Sequence, residues 1–124
     1  MERRVNVKHR ATGQVLIPGA RWGEAYFSRL RGLMFRDRLN AGEALIIVEA
    51  RDSRTTAAIH MFFVPFSIAV VWINNAGRVV DQALAEPWRP FYAPRAPARY
   101  TLETHPDFLD KVMVGDELVF ENLP

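Results

Sequence analysis

The chain has 124 residues, 49% hydrophobic and 24% charged, with a formal net charge of +2. That length buries a core without covalent staples, and that balance belongs to a soluble, ordered globular protein. There is no cysteine, which excludes disulfides, thiolate metal sites and a cysteine nucleophile, and suits the cytosol.

The charge is unevenly placed. Residues 1–60 carry eleven Lys/Arg against six Asp/Glu, and residues 61–124 carry five against eight. Arginine outnumbers lysine fourteen to two, and arginine suits bidentate anion contacts. At so modest a net charge the plain reading is a mixed, solvated surface, so nucleic acid is not favoured as a partner. The opening "MERRVNVKHR" has no apolar run behind its basic residues. It does not read as a leader, and a cytoplasmic location is expected.

In chain order, "VNVKHRATGQVLI" reads as a hairpin around Thr12-Gly13, with Val5, Val7, Val15 and Ile17 facing inward. In "GEAYFSRLRGLMF", Ala25, Leu30, Leu33 and Met34 fall near helical spacing. A short helix is expected from Trp22 to about Leu30, ended by Gly32. "EALIIVEA" reads as a strand. "AAIHMFFVPFSIAVVWIN" is the most apolar stretch. It is at the lower edge of membrane-spanning length, with Pro65 in its middle and strand-favouring residue types around it. We expect two buried strand segments, Ala57 to Ile73, bent near Pro65, and no transmembrane segment.

"NNAG", Asn74 to Gly77, reads as a turn into "RVVDQALA", the second arm of a hairpin. "ARYTLE" reads as a strand, "HPDFLDKV" as one or two helical turns, and "ELVFE" as the closing strand. The expected fold is a small, mainly β (α+β) domain over residues 1–124. It is a compact sandwich or partly open barrel of about seven or eight short strands, with one or two short helices.

"AEPWRPFYAPRAPARY", Ala85 to Tyr100, holds four prolines, four aromatics and three arginines. Proline removes backbone donors, so this is a strap and not a central strand. Its aromatics and arginines could stack on a ligand and hold anions. The plainer reading is that Trp88, Phe91 and Tyr92 cover an open end of the core.

No phosphate loop, G-x-S-x-G elbow or H-E-x-x-H motif is present. His9, His60 and His105 are far apart and lack ligand spacing. We expect no metal and no cofactor. His60 differs from the other two, because Ile59, Met61, Phe62 and Phe63 surround it. An imidazole there needs a hydrogen-bond partner. It either ties strands together or serves as a donor or base in a pocket.

"RGLMFRDRL", "IHMFFVPFSIAVVWINNAGRVVD", "PWRP", "YTLE" and "VGDELVF" occur in that order. Together they resemble the bacterial and archaeal family catalogued as domain of unknown function 192, from about Ala11 to Phe120. The resemblance implies a compact, mostly β domain of sandwich type and supplies no activity. Arg31-Gly32-Leu33-Met34, Ile59-His60, Phe62-Phe63 and Gly115-Asp116 carry the match. Where members commonly hold an aspartate, this chain has Ala69, and often Asn74. The resemblance would thus provide an acid partner for His60 that Ala69 cannot supply.

Three functions are carried forward. The first is a module binding a small molecule or a protein partner through His60, Arg31, Phe62, Phe63, Trp88 and Arg89. The second is an accessory interaction protein of a larger assembly. The third is an enzyme, a hydrolase among the options, using His60 as base. For that last reading, Glu49, Asp52, Asp81 and Glu103 are the acid candidates by chain position. No catalytic residue is assigned.

Overall fold

The computed structural model describes residues 3–24, 36–40 and 42–123. Seven strands form one sheet: β1 (Arg4–His9), β2 (Val15–Glu24), β3 (Ala44–Ser53), β4 (Ile68–Ile73), β5 (Val79–Ala85), β6 (Ala98–Thr104) and β7 (Leu118–Asn122). A 3₁₀ helix, Pro106–Asp110, precedes β7. The sheet order is β5-β4-β6-β3-β2-β1-β7. Every neighbouring pair is antiparallel except β2 with β3.

Of the two expected architectures, the structure is the partly open barrel. A single sheet curls until its edge strands meet at one corner. There Arg78 bridges Glu117, the Val79 N–H donates to the Asp116 carbonyl at 2.8 Å, and the Leu118 N–H donates to the Gly77 carbonyl at 2.8 Å. Gly77 makes this approach possible: its φ is +89°, and a Cβ would lie 2.7 Å from the Leu118 carbonyl oxygen.

Side chains alternate across the sheet and build two cores. The inner one takes Val5, Val7, Ile17, Ile46, Val71, Leu102 and Leu118 from the strands, closed by Phe108 and Val112. The outer one packs Ile68, Val70 and Trp72 of β4 against Ala57, Ile59, Met61 and Val64. All six residues of β4 are therefore buried, as an apolar run without alternation requires. No helix among the described residues is long and apolar enough to cross a membrane.

Three expectations need correction. Val15 is 43% exposed. Val7 pairs Ile17 but Lys8 pairs Val15, so a bulge at Leu16 breaks the alternation that would have turned Val15 inward. Trp22 is not a helix start, because it lies in β2 and its ring meets those of Tyr100 at 5.7 Å and Phe120 at 5.5 Å. The rest of the expected helix, with Arg31 and Gly32, lies outside the described residues. Finally, only the last six residues of Ala57–Ile73 form a strand, Ile68–Ile73. Residues 57–66 form an irregular crossover with one β-bridge, Ile59 to Tyr92.

Candidate functional site

The crossover is fixed to the sheet by polar contacts as well as by packing. The Ala57 carbonyl accepts from Trp72 Nε1 at 2.8 Å and from Thr101 Oγ1 at 3.3 Å. Beyond Ala57 the crossover zips to the strap. Ile59 and Tyr92 exchange backbone bonds at 2.8 and 2.9 Å. Met61 N–H donates to Arg89 O at 2.7 Å, and Trp88 N–H donates to Met61 O at 3.0 Å. Tyr92 packs on the outer core and its hydroxyl accepts from Glu86 N–H at 2.8 Å.

Each side of this seam carries a turn. In the first, Val64 N–H donates to Met61 O at 3.1 Å, and Phe63 sits third with φ +61°. In the second, Pro87 is followed by Trp88 with φ +65°. A positive φ at the third position of a turn belongs to type II geometry, where glycine or asparagine is normal and proline favours the second position. Two bulky aromatics hold the place of glycine here. They also touch: the Phe63 and Trp88 rings lie 5.3 Å apart, edge to face at 65°. Both stay well exposed, at 44% and 53%.

Beside this corner lies a cavity of about 230 Å³ lined by Arg36, Asp37, Phe63, Pro65 and Trp88. Arg36 is held by Glu43, whose two carboxylate oxygens accept from both terminal guanidinium nitrogens. Arg21 comes within 3.7 Å of the same carboxylate. The hydrogen bond from Arg36 holds the Glu43 carboxyl below the usual range, more than burial raises it, and the Asn40 N–H at 3.1 Å lowers it further. The bond to Glu43 likewise raises the pKa of Arg36.

The expected site residues divide into pairs. Phe63 and Trp88 meet as described. His60 is half-buried, its ring 5.2 Å from that of Phe62, and its Nδ1 accepts from the Phe62 N–H at 3.2 Å. Arg89 is exposed, 3.9 Å from Glu86, with its pKa raised first by a hydrogen bond to the Tyr92 side chain. Arg31 lies outside the described residues. Phe91 does not cover the core, being 66% exposed. Among the acid candidates, Asp52 accepts from Asn75 N–H, and Asp81 accepts from Gln82 and Arg95 N–H. Glu103 is buried.

Ala69 corrects the argument from the resemblance. It is fully buried in the inner core, whereas the crossover that carries His60 packs on the opposite face of β4. An acid at position 69 would face away from the imidazole. Sequence reasoning also passed over Arg36, Asp37 and Pro65. The first two stand inside the quoted "RGLMFRDRL", but no local pattern shows that this segment returns to meet the crossover.

Other concavities lie away from the aromatic corner and carry polar groups of their own, including one of about 440 Å³ lined by Arg4, Arg21, Asn40 and Glu43, among others. Another of about 250 Å³ is lined by Leu16, Pro18, Thr104, His105, Phe108 and Lys111, among others. There Thr104 Oγ1 donates to Glu43 O, and His105 Nδ1 accepts from Asp107 N–H.

The class of fold follows from solved structures. A candidate transcription regulator from Sinorhizobium meliloti 1021 matches with a TM-score of 0.79 over 97% of this chain and 94% of that one, at 18% identity. A protein of unknown function from Novosphingobium aromaticivorans matches at 0.74 over 94% and 83%, also at 18% identity. These likenesses define the fold alone.

The sequence defines the family. The DUF192 family model, described as "Uncharacterized ACR", matches residues 9–120. A UPF0127 protein of Thermococcus sibiricus is 35% identical over 115 residues, 91% of this chain and 73% of the relative. One from Pyrococcus furiosus is 33% identical over 105 residues, 83% and 87% of the two chains. Against the Thermococcus gammatolerans relative, 41% identical over 80 residues, the match spans half of that protein's length. The chain belongs to the DUF192 (UPF0127) family.

Proposed function

We propose that this protein is a ligand-binding module whose site is the Phe63–Trp88 corner and the cavity beside it. His60, Phe62 and Arg89 flank that corner in this reading, and Arg31 is assigned to it on sequence grounds. One observation carries the proposal. Two contacting, exposed aromatics each occupy a left-handed backbone conformation. Such a conformation costs a bulky residue roughly 1–3 kcal/mol, and glycine would remove that cost at both turns. Neither ring is buried in the core, and both keep surface exposed to a ligand. A concave surface with aromatic walls and a few polar groups is the usual form of a small-molecule site.

The enzyme reading draws less support. The Nδ1 lone pair of His60 already accepts from the Phe62 N–H at 3.2 Å, and the acid candidates Asp52 and Asp81 are already bonded to backbone N–H groups. The interaction-protein reading shares the same apolar surface, but a flat partner would not need the cavity.

The test is a thermal-shift screen of metabolites, sugars and nucleotides against the wild type and the Trp88→Gly and Phe63→Gly variants. A ligand at a hundred times its dissociation constant adds about 2.7 kcal/mol of stability. The expected result is a hit whose shift disappears in both glycine variants while they stay folded. A hit that both variants retain places the site elsewhere and refutes the proposal.

A further inference from the structure

We infer that the ligand of this corner is a compact organic cation, an alkylated ammonium ion held against the aromatic rings and neutralised by Asp37. The inference rests on the corner being a binding site and adds the chemical class of what it binds.

The charges decide against the first impression. Arg36 in the wall suggests an anion. Its guanidinium, however, is engaged by both oxygens of Glu43, so an anion would have to compete with a bidentate partner already in place. Asp37 is the reverse case. It is exposed and makes no ion pair or hydrogen bond among the described residues. Its electrostatic contact there is with Arg36, whose charge Glu43 already meets. Of the two charged residues lining the cavity, the one left to meet a charged ligand is therefore a carboxylate, and Arg89 at the rim faces Glu86 at 3.9 Å.

The rings point the same way. An aromatic face carries negative quadrupolar charge and attracts a cation within about 6 Å, with tryptophan best. This protein fills such faces elsewhere with its own arginines: Arg3 lies 4.6 Å from the Trp22 ring centroid, and Arg99 lies 5.3 Å from that of Tyr100. Trp88 has no such cation over it among the described residues, although Arg89 follows it in the chain. Trp88 is also 53% exposed, so part of its ring surface stays open to a ligand. An alkylated ammonium presents methyl groups to the rings and Pro65, and a diffuse positive charge to Asp37. The same chemistry occurs on a free molecule and on a methylated lysine side chain.

The experiment titrates the full chain with choline and, separately, with its neutral isostere 3,3-dimethylbutan-1-ol, following tryptophan fluorescence. Of the three tryptophans, Trp72 is fully buried, Trp22 packs on Tyr100 and Phe120, and Trp88 is exposed at the corner, so the signal lost on Trp88→Gly reports the corner. Choline should saturate, and the alcohol should bind at least about tenfold more weakly. Asp37→Asn should weaken choline several-fold and leave the alcohol unchanged. A third arm uses a short peptide containing trimethyl-lysine. Tighter binding of the peptide than of choline assigns a protein-borne cation, and the converse assigns a free one. Equal binding of choline and the alcohol, or no saturation by choline or the peptide at millimolar concentration, overturns the cation. In either case a screen hit lost in Trp88→Gly would leave the binding-site reading standing.

Discussion

Replacing Trp88 by glycine and by alanine tests the backbone strain on which the binding reading rests. Both variants lose the edge-to-face contact with Phe63, worth about 0.5–1.5 kcal/mol. They differ in what remains. Alanine keeps a Cβ at φ +65° and so keeps a left-handed penalty of about 1–2 kcal/mol. Glycine removes it, at a cost of about 0.4–1 kcal/mol in unfolded-state entropy. Trp88→Gly should therefore lie close to wild type and above Trp88→Ala by roughly 1 kcal/mol, or about 3–5 °C in Tm for a chain of this size. The same pair of changes at Leu84, in β5 and 47% exposed, should give the ordinary order, with alanine above glycine by about 0.5–1 kcal/mol. Differential scanning calorimetry reads both. If Trp88→Ala proves as stable as Trp88→Gly, the backbone there is unstrained and the argument from strain fails.

Gly77→Ala should destabilise the fold by about 2–4 kcal/mol, through left-handed strain and loss of the β5–β7 corner bonds. Gly13→Ala, at φ +73° with nothing near its Cβ, should cost only the strain, about 1–2 kcal/mol, and urea denaturation separates the two. Glu43→Gln should lower stability at neutral pH. The folded carboxyl lies below its usual value, so its contribution is present above the unfolded pKa and is lost as pH falls through the folded one. The gap between variant and wild type should therefore close as the pH falls below the usual carboxylate range, and a constant gap across a pH series would exclude the ion pair as its cause. Trp72→Phe should remove the bond that holds Ala57, cost about 1–3 kcal/mol, and raise hydrogen exchange at residues 57–66 ahead of β3 and β6.

The strands were readable wherever one rule dominated. Alternation and turn chemistry mark the hairpin at Thr12-Gly13 and the Asn74–Gly77 turn, where Asn74 Oδ1 accepts from Ala76 and Arg78 N–H. The unalternating run at β4 announces burial on both faces. The failures have physical causes as well. The bulge at Leu16 depends on pairing with β1 and leaves no mark on local composition. The crossover at 57–66 has the residue types of a strand but exchanges its backbone bonds with a proline-rich strap some thirty positions later, a partner that local pattern cannot reveal. For the site, the aromatics and His60 stood out because each is odd in its setting. Their pairing did not, since it follows from two turns that place aromatics where glycine is expected.

Position 69 separates two chemistries that the linear sequence invites one to join. Strand alternation sends Ala69, Val71 and Ile73 into the inner core and Ile68, Val70 and Trp72 to the outer one. The crossover bearing His60 rests on the outer side, so an aspartate at 69 would have the whole sheet between its carboxylate and the imidazole. Installing it should show this. Ala69 is fully buried, and an unpaired carboxylate there should destabilise the protein by at least about 3 kcal/mol at neutral pH. Burial would raise the folded pKa of that new acid above its unfolded value. The penalty should therefore shrink as pH falls through the raised value, the opposite sense to Glu43. The His60 titration, followed by NMR of its ring protons, should keep its wild-type midpoint in Ala69→Asp. A midpoint displaced upward would mean that the carboxylate senses the imidazole, and the assignment of the two groups to opposite faces of β4 would be wrong.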